Sequence, residues 1–355
     1  MDGEIRIGVL GLGRMGQYHC RTVTGTPGLK LVAGSSRSQQ LRSKVEAEHA
    51  IGIYDDHEAL LRNPEVDWVV VATTTEKHVE WALKAIQHGK NIIVEKPIAL
   101  SLEETRQIVS AAEQAKVRVT VYNSRRWDAD FRFIRGIMEG GELGEVYRLE
   151  SRYTDFNPGW GAWGAEGEKN PWRLKQAYGG GLLNDWGPHL FDQILLLVDS
   201  PLLTVFAKLY KKIWSEEVED HFISELVFKN GISALVEASN NHRIAQSRWC
   251  VVGTEGTCWV QGGAPHRWNS AIVRRGSQGK MKESKFTIDG KELSFGFYRD
   301  FAKAIHSGMP LSVQPAEVMQ VMEVIEAVRH SDSLHRHVRA HNCCRKTAGD
   351  ADTQE

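Results

Sequence analysis

The stretch IRIGVLGLGRMG, residues 5–16, decides the fold of this chain. Its first half is a short apolar run with the pattern of a buried strand, and its second half is a GxGxxG motif that opens a helical pattern. In such a turn the first glycine permits a tight bend, the second lets the main chain approach a pyrophosphate, and the third lets the helix pack on the strand. Because the motif heads a series of strands and helices, a dinucleotide-binding turn is favoured over an ordinary glycine-rich connection. The expected contact residues are Gly11, Gly13, Arg14, Met15 and Gly16.

Outward from this stretch, residues 1–123 alternate short apolar runs with amphipathic segments. The alternation predicts right-handed βαβ units in a doubly wound parallel sheet, which together form an N-terminal Rossmann domain. The run WVVVA, residues 68–72, is apolar throughout, as expected for a sheet covered on both faces. The predicted strands are Ile5–Leu10, Leu29–Ala33, Asp67–Ala72, Asn91–Val94 and Val117–Tyr122, and the predicted helices cover 14–24, 38–50, 76–88 and 101–116.

After residue 123 the alternation gives way to strand-like runs with few helices between them. The run HFISELVF, residues 221–228, alternates in part, which is typical of an antiparallel sheet with one open face. We expect residues 124–340 to form a C-terminal α+β domain with a large, mostly antiparallel, open-faced sheet, and residues 341–355 to form a flexible tail. Strand-like runs cover 145–153, 203–212, 220–228, 231–239 and 247–252, and loops or hairpins are predicted at 262–292. Helices are predicted at 131–138, 182–198, 297–307 and 315–330. The last of these helices is a candidate for packing back on the Rossmann domain.

Composition excludes several classes of function. Lys and Arg number 44 against 45 Asp and Glu, so the chain has no overall basic character for binding nucleic acid. No apolar run approaches the roughly 18 residues that cross a bilayer, and the first residues lack a signal-peptide pattern, so we expect no membrane contact and a cytoplasmic protein. The five cysteines are scattered without a CxxC pair, so we expect neither a metal site nor a disulfide framework. The open sheet face needs a cover, which predicts a homodimer or homotetramer.

The end of the second predicted strand bears on the choice of cofactor. An NAD-binding domain usually places Asp or Glu there, against the ribose 2′-hydroxyl. Here the sequence is GSSRS, residues 34–38, without a carboxylate. Ser36 and Arg37 lie where a 2′-phosphate would bind, and a guanidinium can bind phosphate through two parallel hydrogen bonds. We therefore predict NADP as the cofactor. The alternative, in which Arg37 only decorates the next helix and NAD binds, stays open.

Three further motifs follow in order along the chain. ATTTEKH, residues 72–78, and EKP, residues 95–97, come at the ends of predicted strands, and GGGLLNDWGPH, residues 179–189, opens the long helix of the second domain. Together with the Rossmann motif they resemble the Gfo/Idh/MocA oxidoreductase family over about residues 4–335. The segment NSRRWD, residues 123–128, resembles the subset that includes NADP-dependent scyllo-inositol dehydrogenases. The resemblance implies hydride transfer between a nicotinamide and a secondary alcohol of an inositol or a pyranose, which gives the corresponding ketone.

The same motifs contain residues that suit this chemistry. Oxidation of a secondary alcohol delivers a hydride to the cofactor and leaves a proton for the protein to accept. A histidine is a natural acceptor, and in GGGLLNDWGPH an aspartate lies one helical turn before the histidine on the same face. The lysine of EKP follows a parallel strand at the sheet edge where ligands bind, and its ammonium can stabilise an alkoxide. The resemblance implies that Lys96, Asp185 and His189 are catalytic. The sequence leaves open whether Lys96 or His189 accepts the proton, and we favour His189.

The resemblance also implies contacts around this set. The tryptophans Trp160, Trp163 and Trp172 are suited either to stacking on a sugar ring or to covering the sheet. Implied cofactor contacts are Thr73, Thr74, His78, Glu95, Lys96, Asn123, Trp172 and Arg173, and implied substrate contacts are Lys96, Arg126, Trp127, Trp163, Asp185 and His189.

Two other functions stay open: an NAD-dependent glycosidase of the same fold, which hydrolyses a glycoside without net consumption of cofactor, and a non-catalytic cofactor-sensing regulator.

Overall fold

The computed structural model describes residues 3–157, 172–276, 279–289 and 295–339. Within these ranges the chain forms one parallel sheet and one mostly antiparallel sheet, with helices packed against both. This confirms the predicted fold class, a Rossmann domain followed by an α+β unit with a large sheet. Trp160, Trp163 and the expected tail at 341–355 lie outside the described residues.

The first sheet is parallel throughout and apolar at its centre. Its strands are β1 (Ile5–Leu10), β2 (Leu29–Ser35), β3 (Gly52–Tyr54), β4 (Trp68–Val71), β5 (Asn91–Val94) and β6 (Val119–Val121), in the spatial order β3-β2-β1-β4-β5-β6. Its helices are α1 (Arg14–Thr24), α2 (Gln39–Glu48), α3 (His57–Leu61), α4 (His78–Gln87) and α5 (Leu102–Ala115). The sequence does not predict β3 and α3, because a partly exposed edge strand of three residues and a helix of five carry too short a pattern.

The strand order creates a crevice at one edge of this sheet. From β1 the chain moves outward to β2 and β3 and then returns to β4 on the other side of β1. Ligands bind at such a reversal, outside the carboxyl ends of the strands. The GxGxxG motif follows β1, ATTTEKH follows β4, and EKP follows β5. Three motifs that are far apart in the sequence therefore meet at this edge.

The second sheet is antiparallel except where β7 and β10 pair in parallel. Its strands are β7 (Val146–Thr154), β8 (Leu202–Tyr210), β9 (His221–Phe228), β10 (Ser233–Ser239), β11 (Trp249–Gly253), β12 (Gly256–Val260), β13 (Ser270–Arg275), β14 (Lys282–Thr287) and β15 (Val338–Arg339), in the order β14-β13-β12-β11-β7-β10-β9-β8-β15. The segment 262–292 contains the β13–β14 hairpin, whereas β12 has no counterpart among the predicted strands.

The two faces of this sheet differ in character. Helix α7 (Leu182–Leu197) contacts β7, β9 and β10 on the inner face, and α6 (Ala129–Glu139) contacts β12. On the outer face, cross-strand pairing places one row of side chains across six strands: Phe206, Glu225, Leu235, Glu150, Cys250 and Trp259. The aromatic residues of this row, Phe206 and Trp259, are exposed. The expectation that a second subunit covers this face stays a prediction.

The last two helices return to the first sheet. Helix α8 (Gly296–His306) places the ring of Phe301 against Trp68 and that of Phe297 against Tyr122, each at 4.8 Å between centroids. Helix α9 (Pro315–Leu334) contacts α5 and β6 of the first unit and α7 and β8 of the second. Both units are thus packed against α9, whereas α8 packs on the first sheet. Among the helices of the described residues, none has the length and apolar character that a membrane-spanning segment requires.

Candidate active site

The GxGxxG turn is shaped to receive phosphates. Gly11 has φ of +88°, and a Cβ at Gly16 would lie 1.8 Å from the carbonyl oxygen of Gly11, so the turn closes only around glycine. A Cβ at Gly13 would meet nothing within 4 Å, so the main chain there faces open space. Among the described residues, no side chain caps α1 and no acid lies in its first turn. The positive end of the helix is therefore available to the pyrophosphate of a dinucleotide.

The end of β2 carries two arginines. Arg37 is exposed, and Arg42 on α2 donates to the main-chain carbonyls of Ser36 and Arg37 at 2.8 and 3.0 Å. The hydroxyl of Ser36 accepts the N–H of Ser38 at 3.2 Å, and Ser38 in turn caps α2. Sequence reasoning did not single out Arg42, because its proximity depends on the turn that joins β2 to α2. The structure thus brings two guanidinium groups to the strand end at which the adenosine ribose of a dinucleotide lies.

A cavity of about 380 Å³ opens at the carboxyl edge of the Rossmann sheet and is lined by residues of both units. A volume in this range accommodates a small ligand. The predicted site residues that line it are Met15, Thr73, His78, Glu95, Lys96, Trp172, Arg173, Asp185 and His189. The predicted cofactor contacts that do not line it are Gly11, Gly13, Arg14, Gly16, Ser36, Arg37, Thr74 and Asn123. The three residues expected to be catalytic are thus brought together in one cavity.

Lys96 and Asp185 bond directly inside this cavity. The Nζ of Lys96 donates to the carboxylate Oδ1 of Asp185 at 2.8 Å and to its main-chain oxygen at 2.7 Å. The two side chains are 17% and 20% exposed, so the pair is largely shielded from water. The Nε of Arg173 lies 3.9 Å from the second carboxylate oxygen. Two cations therefore flank one carboxylate, which fixes the direction of the lysine ammonium.

The glycine run before α7 sets the position of Asp185. Gly181 has φ of +105°, and a Cβ there would lie 2.3 Å from Oε1 of Glu219. That carboxylate accepts the N–H of Leu183 at 2.9 Å and so caps the helix. Because the cap occupies the space of the missing side chain, α7 begins directly after the glycines. Asp185 and His189 then lie one turn apart, and both line the cavity.

His189 is a buried, neutral imidazole. Burial above all, and then the positive charges of Lys96 and Arg125, lower its pKa well below the ordinary value of 6.5, although Asp185 acts in the opposite direction. Its Nδ1 has no hydrogen-bond partner among the described residues. A neutral imidazole at the wall of a cavity is able to accept a proton from a bound hydroxyl group.

The low pKa of His189 gives a testable pH dependence. A group whose pKa lies well below 6.5 is already deprotonated throughout the neutral range, so we expect kcat for alcohol oxidation to show no loss as the pH falls through 6.5. The measurement is kcat at saturating cofactor and alcohol from about pH 9 to about pH 5. An acidic limb centred at pH 6.5 or above would contradict this assignment, because it would report an imidazole with an ordinary pKa.

His78 connects the motifs that follow β4 and β5. Its Nδ1 lies 2.8 Å from the carbonyl oxygen of Pro97 and its Nε2 lies 3.2 Å from that of Thr73. The ring is fully buried, and burial lowers its pKa below the ordinary value. A neutral ring has one N–H, so His78 donates to one of these two oxygens and packs beside the other, where the loops that follow β4 and β5 meet.

The structure corrects the expected substrate contacts of Arg126 and Trp127. The guanidinium of Arg126 bonds both carboxylate oxygens of Asp192, at 2.7 and 2.5 Å, and that of Glu317 at 2.9 Å. The ring of Trp127 meets that of Phe297 at 5.6 Å between centroids. Neither residue lines the cavity, because the partners of Arg126 lie on α7 and α9 and that of Trp127 lies on α8. Both side chains join helices rather than face a ligand.

One cavity wall consists of residues that sequence reasoning missed. Arg125 lies over the ring of Trp186 at 4.4 Å, and the ring of Tyr153 stacks on Trp186 at 3.7 Å between centroids. All three line the cavity. Trp186 is the direct neighbour of Asp185, which is a usable signal, but nothing in the spacing of Tyr153 on β7 points to this site.

One group among the described residues combines imidazoles with a carboxylate: His221, Glu237 and His242, whose candidate ligand atoms lie within 4.8 Å of one another. None of the three lines the cavity. Both imidazoles approach Oε1 of Glu237, at 3.0 and 3.4 Å, and Arg152 donates to Oε2 at 3.1 Å. These contacts already satisfy the carboxylate, so we assign no metal to the group.

The fold and the site define a Rossmann-type oxidoreductase with a second, sheet-based unit. Residues 5–123 match the model of the GFO_IDH_MocA oxidoreductase family with its NAD-binding Rossmann fold, and residues 131–259 match the GFO/IDH/MocA C-terminal domain. The chain therefore belongs to the Gfo/Idh/MocA family, as the sequence motifs predict. It is an NAD(P)-dependent oxidoreductase of that family.

Particular relatives include two inositol enzymes. The chain is 28% identical to scyllo-inositol 2-dehydrogenase (NAD(+)) of Bacillus subtilis, over 88% of this chain and 85% of that protein. It is 26% identical to scyllo-inositol 2-dehydrogenase (NADP(+)) IolW of the same organism, over 94% and 95%. Among solved structures, an NAD-binding protein from Listeria innocua matches with a TM-score of 0.83 at 30% identity, over 95% of this chain and 97% of that one.

Proposed function

We propose that this chain is an NADP-dependent dehydrogenase of a cyclic polyol or sugar, which transfers a hydride between a ring secondary alcohol and the nicotinamide and yields the ketone. The convergence of Lys96, Asp185 and His189 on one cavity beside the dinucleotide turn carries the proposal. Two relatives named as scyllo-inositol dehydrogenases support the substrate class. In this account the active site lies between a nucleotide-binding unit, residues 1–123, and a substrate unit, residues 124–340.

Each catalytic side chain has one role in oxidation of the alcohol. The bound cofactor supplies the hydride acceptor. His189 accepts the hydroxyl proton, because its ring is neutral and lines the cavity. The Lys96 ammonium stabilises the negative charge that develops on the alcohol oxygen. Asp185 holds that ammonium in place through its carboxylate and its main-chain oxygen. Arg125, Trp186 and Tyr153 pack on one another and form one wall of the cavity beside these groups.

The preference for NADP rests on charge at the end of β2. No carboxylate occurs at residues 34–38, and Arg37 and Arg42 lie there instead. A carboxylate would repel a 2′-phosphate, whereas two guanidinium groups attract it. The relatives include both NAD and NADP enzymes, so the local chemistry of this chain carries the preference.

Reversal of charge at Arg37 tests this preference. In Arg37→Glu we expect kcat/KM for NADP⁺ to fall about 10- to 100-fold, because a phosphate contact becomes a repulsion, with kcat/KM for NAD⁺ unchanged or raised. Lys44→Glu reverses an exposed charge on α2, the helix that follows Arg37, and should leave the ratio of kcat/KM for NADP⁺ to that for NAD⁺ within about twofold. A wild-type enzyme with the higher kcat/KM for NAD⁺ would overturn the preference, and so would an Arg37→Glu variant that keeps its NADP⁺ kinetics.

The proposed function is tested by a spectrophotometric panel. Reduction of NADP⁺ and NAD⁺ is followed with inositol isomers, glucose, other aldoses and glycosides of these sugars, and oxidation of NADPH with the corresponding ketones. We expect net cofactor turnover with at least one cyclic polyol or sugar. Release of an aglycone from a glycoside without net cofactor turnover would contradict the proposal and favour the glycosidase.

A further inference from the structure

Three buried side chains form a hydrogen-bonded chain behind the catalytic lysine. The hydroxyl of Tyr298 lies 2.8 Å from Nδ1 of His19, and Nε2 of His19 lies 2.9 Å from Oε1 of Glu95. The N–H of Lys96 donates to the other oxygen of Glu95, Oε2, at 3.1 Å. Tyr298 and His19 are fully buried and Glu95 is 6% exposed. These hydrogen bonds join α8, α1 and the loop after β5.

With a neutral His19 ring, one arrangement of protons satisfies every member. An ionised carboxylate only accepts hydrogen bonds, so Nε2 of His19 must donate to Glu95. In a neutral ring Nδ1 then accepts, and Tyr298 donates its hydroxyl proton to it. Burial alone would raise the pKa of Glu95, but the hydrogen bond from His19 and the positive charge of Lys96 bring it below the ordinary value. The carboxylate is thus held ionised in a buried position.

We propose that Tyr298, His19 and Glu95 are positioning residues that hold the main chain at Lys96 and so aim its ammonium at the reacting oxygen. This inference rests on the proposed function, adds Tyr298 and His19 to it, and gives Glu95, expected so far only as a cofactor contact, a positioning role. Lys96 is then fixed at both ends: Glu95 binds its N–H, and Asp185 binds its Nζ. Misplacement of a catalytic group by about 1 Å can cost a large factor in rate, so a rigid support behind it matters.

The hydrogen-bonded side chains also link helix α8 to the site. Tyr298 reaches His19 from α8, which packs on the first sheet through aromatic contacts of Phe297 and Phe301. His19 and Tyr298 lie edge to face with ring centroids 5.8 Å apart, and His19 and Tyr122 lie 4.6 Å apart. The hydrogen-bonded side chains therefore include one from a helix that follows the second sheet.

The kinetic test uses Tyr298→Phe, Glu95→Gln and the double variant. For Tyr298→Phe we expect kcat to fall about tenfold, the effect of one buried hydrogen bond, with KM for the alcohol and Kd for NADPH within about twofold. The double variant should be no slower than Glu95→Gln alone, because without the Glu95 carboxylate the Tyr298 hydroxyl no longer acts on Lys96 through His19. Wild-type kcat in Tyr298→Phe, or losses that multiply in the double variant, would overturn the proposal.

A packing control separates positioning from simple stabilisation. Phe301 lies on α8 beside Tyr298 and is 3% exposed. The change Phe301→Leu therefore alters the packing of this helix without removing a polar contact. We expect it to lower the melting temperature and leave kcat unchanged. A loss of kcat equal to that of Tyr298→Phe would show that any disturbance of α8 has the same effect, and would overturn the specific role of the hydroxyl.

A second readout does not need catalysis. In the chain without cofactor, ¹⁵N-histidine NMR should show His19 as the Nε2–H tautomer with a proton protected from exchange, and Tyr298→Phe should speed that exchange. The Nδ1–H tautomer in the wild type would overturn the proposal, because His19 could then not donate to Glu95 through Nε2. If no polyol or sugar is turned over while this signature is present, the proposed function fails and the hydrogen-bonded chain stands.

Discussion

Replacement of Lys96 by methionine should lower kcat about 10³-fold, because the ammonium that stabilises the alkoxide is lost while the chain length is kept. The change also removes one of the positive charges that lower the pKa of His189. The acidic limb of the pH profile should therefore move to higher pH in Lys96→Met. The measurement is kcat against pH for the wild type and the variant at saturating substrates.

A matched lysine lies at the opposite end of the same strand. Lys90 precedes β5, and its Nζ donates to the main-chain oxygens of Asn63 and Val66, each at 2.8 Å. Lys90→Met should lose stability and keep kcat within about twofold, since it lies at the amino edge of the sheet, away from the ligand crevice. A Lys96→Met variant with kcat within tenfold of the wild type would remove Lys96 from the chemical step.

His189→Asn should lower kcat about 10²- to 10⁴-fold in alcohol oxidation, because asparagine cannot accept the hydroxyl proton. The rate of this variant should lose the pH dependence that the imidazole confers. In a second variant, His189→Gly, imidazole added to the solution should restore part of the lost rate. His88→Asn, a partly exposed histidine at the end of α4, should match the wild type. If His189→Asn retains near wild-type kcat, His189 is not the proton acceptor.

Local patterns in the sequence are enough to predict five of the six strands of the first sheet and the crevice at its edge. The GxGxxG turn, the apolar strands and the motifs after them depend on residues close together in the chain, and the position of His189 relative to Asp185 follows from one helical turn. The second sheet is predicted in outline. Its outer strand β14 carries little apolar pattern because most of its side chains face solvent, so only loops or hairpins could be expected there.

Contacts between distant residues could not be predicted. Arg125 and Arg126 are neighbours in a short turn, yet one lines the cavity and the other is bound by Asp192 and Glu317. Their identical chemistry gives the sequence no means to choose between them. Tyr298 and His19 are 279 positions apart, and only the docking of α8 on the first sheet brings them together.

The proposed reaction is a direct hydride transfer from a ring carbon of a cyclic polyol or sugar to the nicotinamide in this cavity. It is tested most directly with the best substrate of the panel, deuterated at its ring carbons, and NADP⁺, followed by mass spectrometry of the reduced cofactor. We expect one deuterium per NADPH formed by the wild type, and little NADPH formed by His189→Asn. Reduced cofactor without deuterium, or release of an aglycone with no net reduced cofactor, would contradict it.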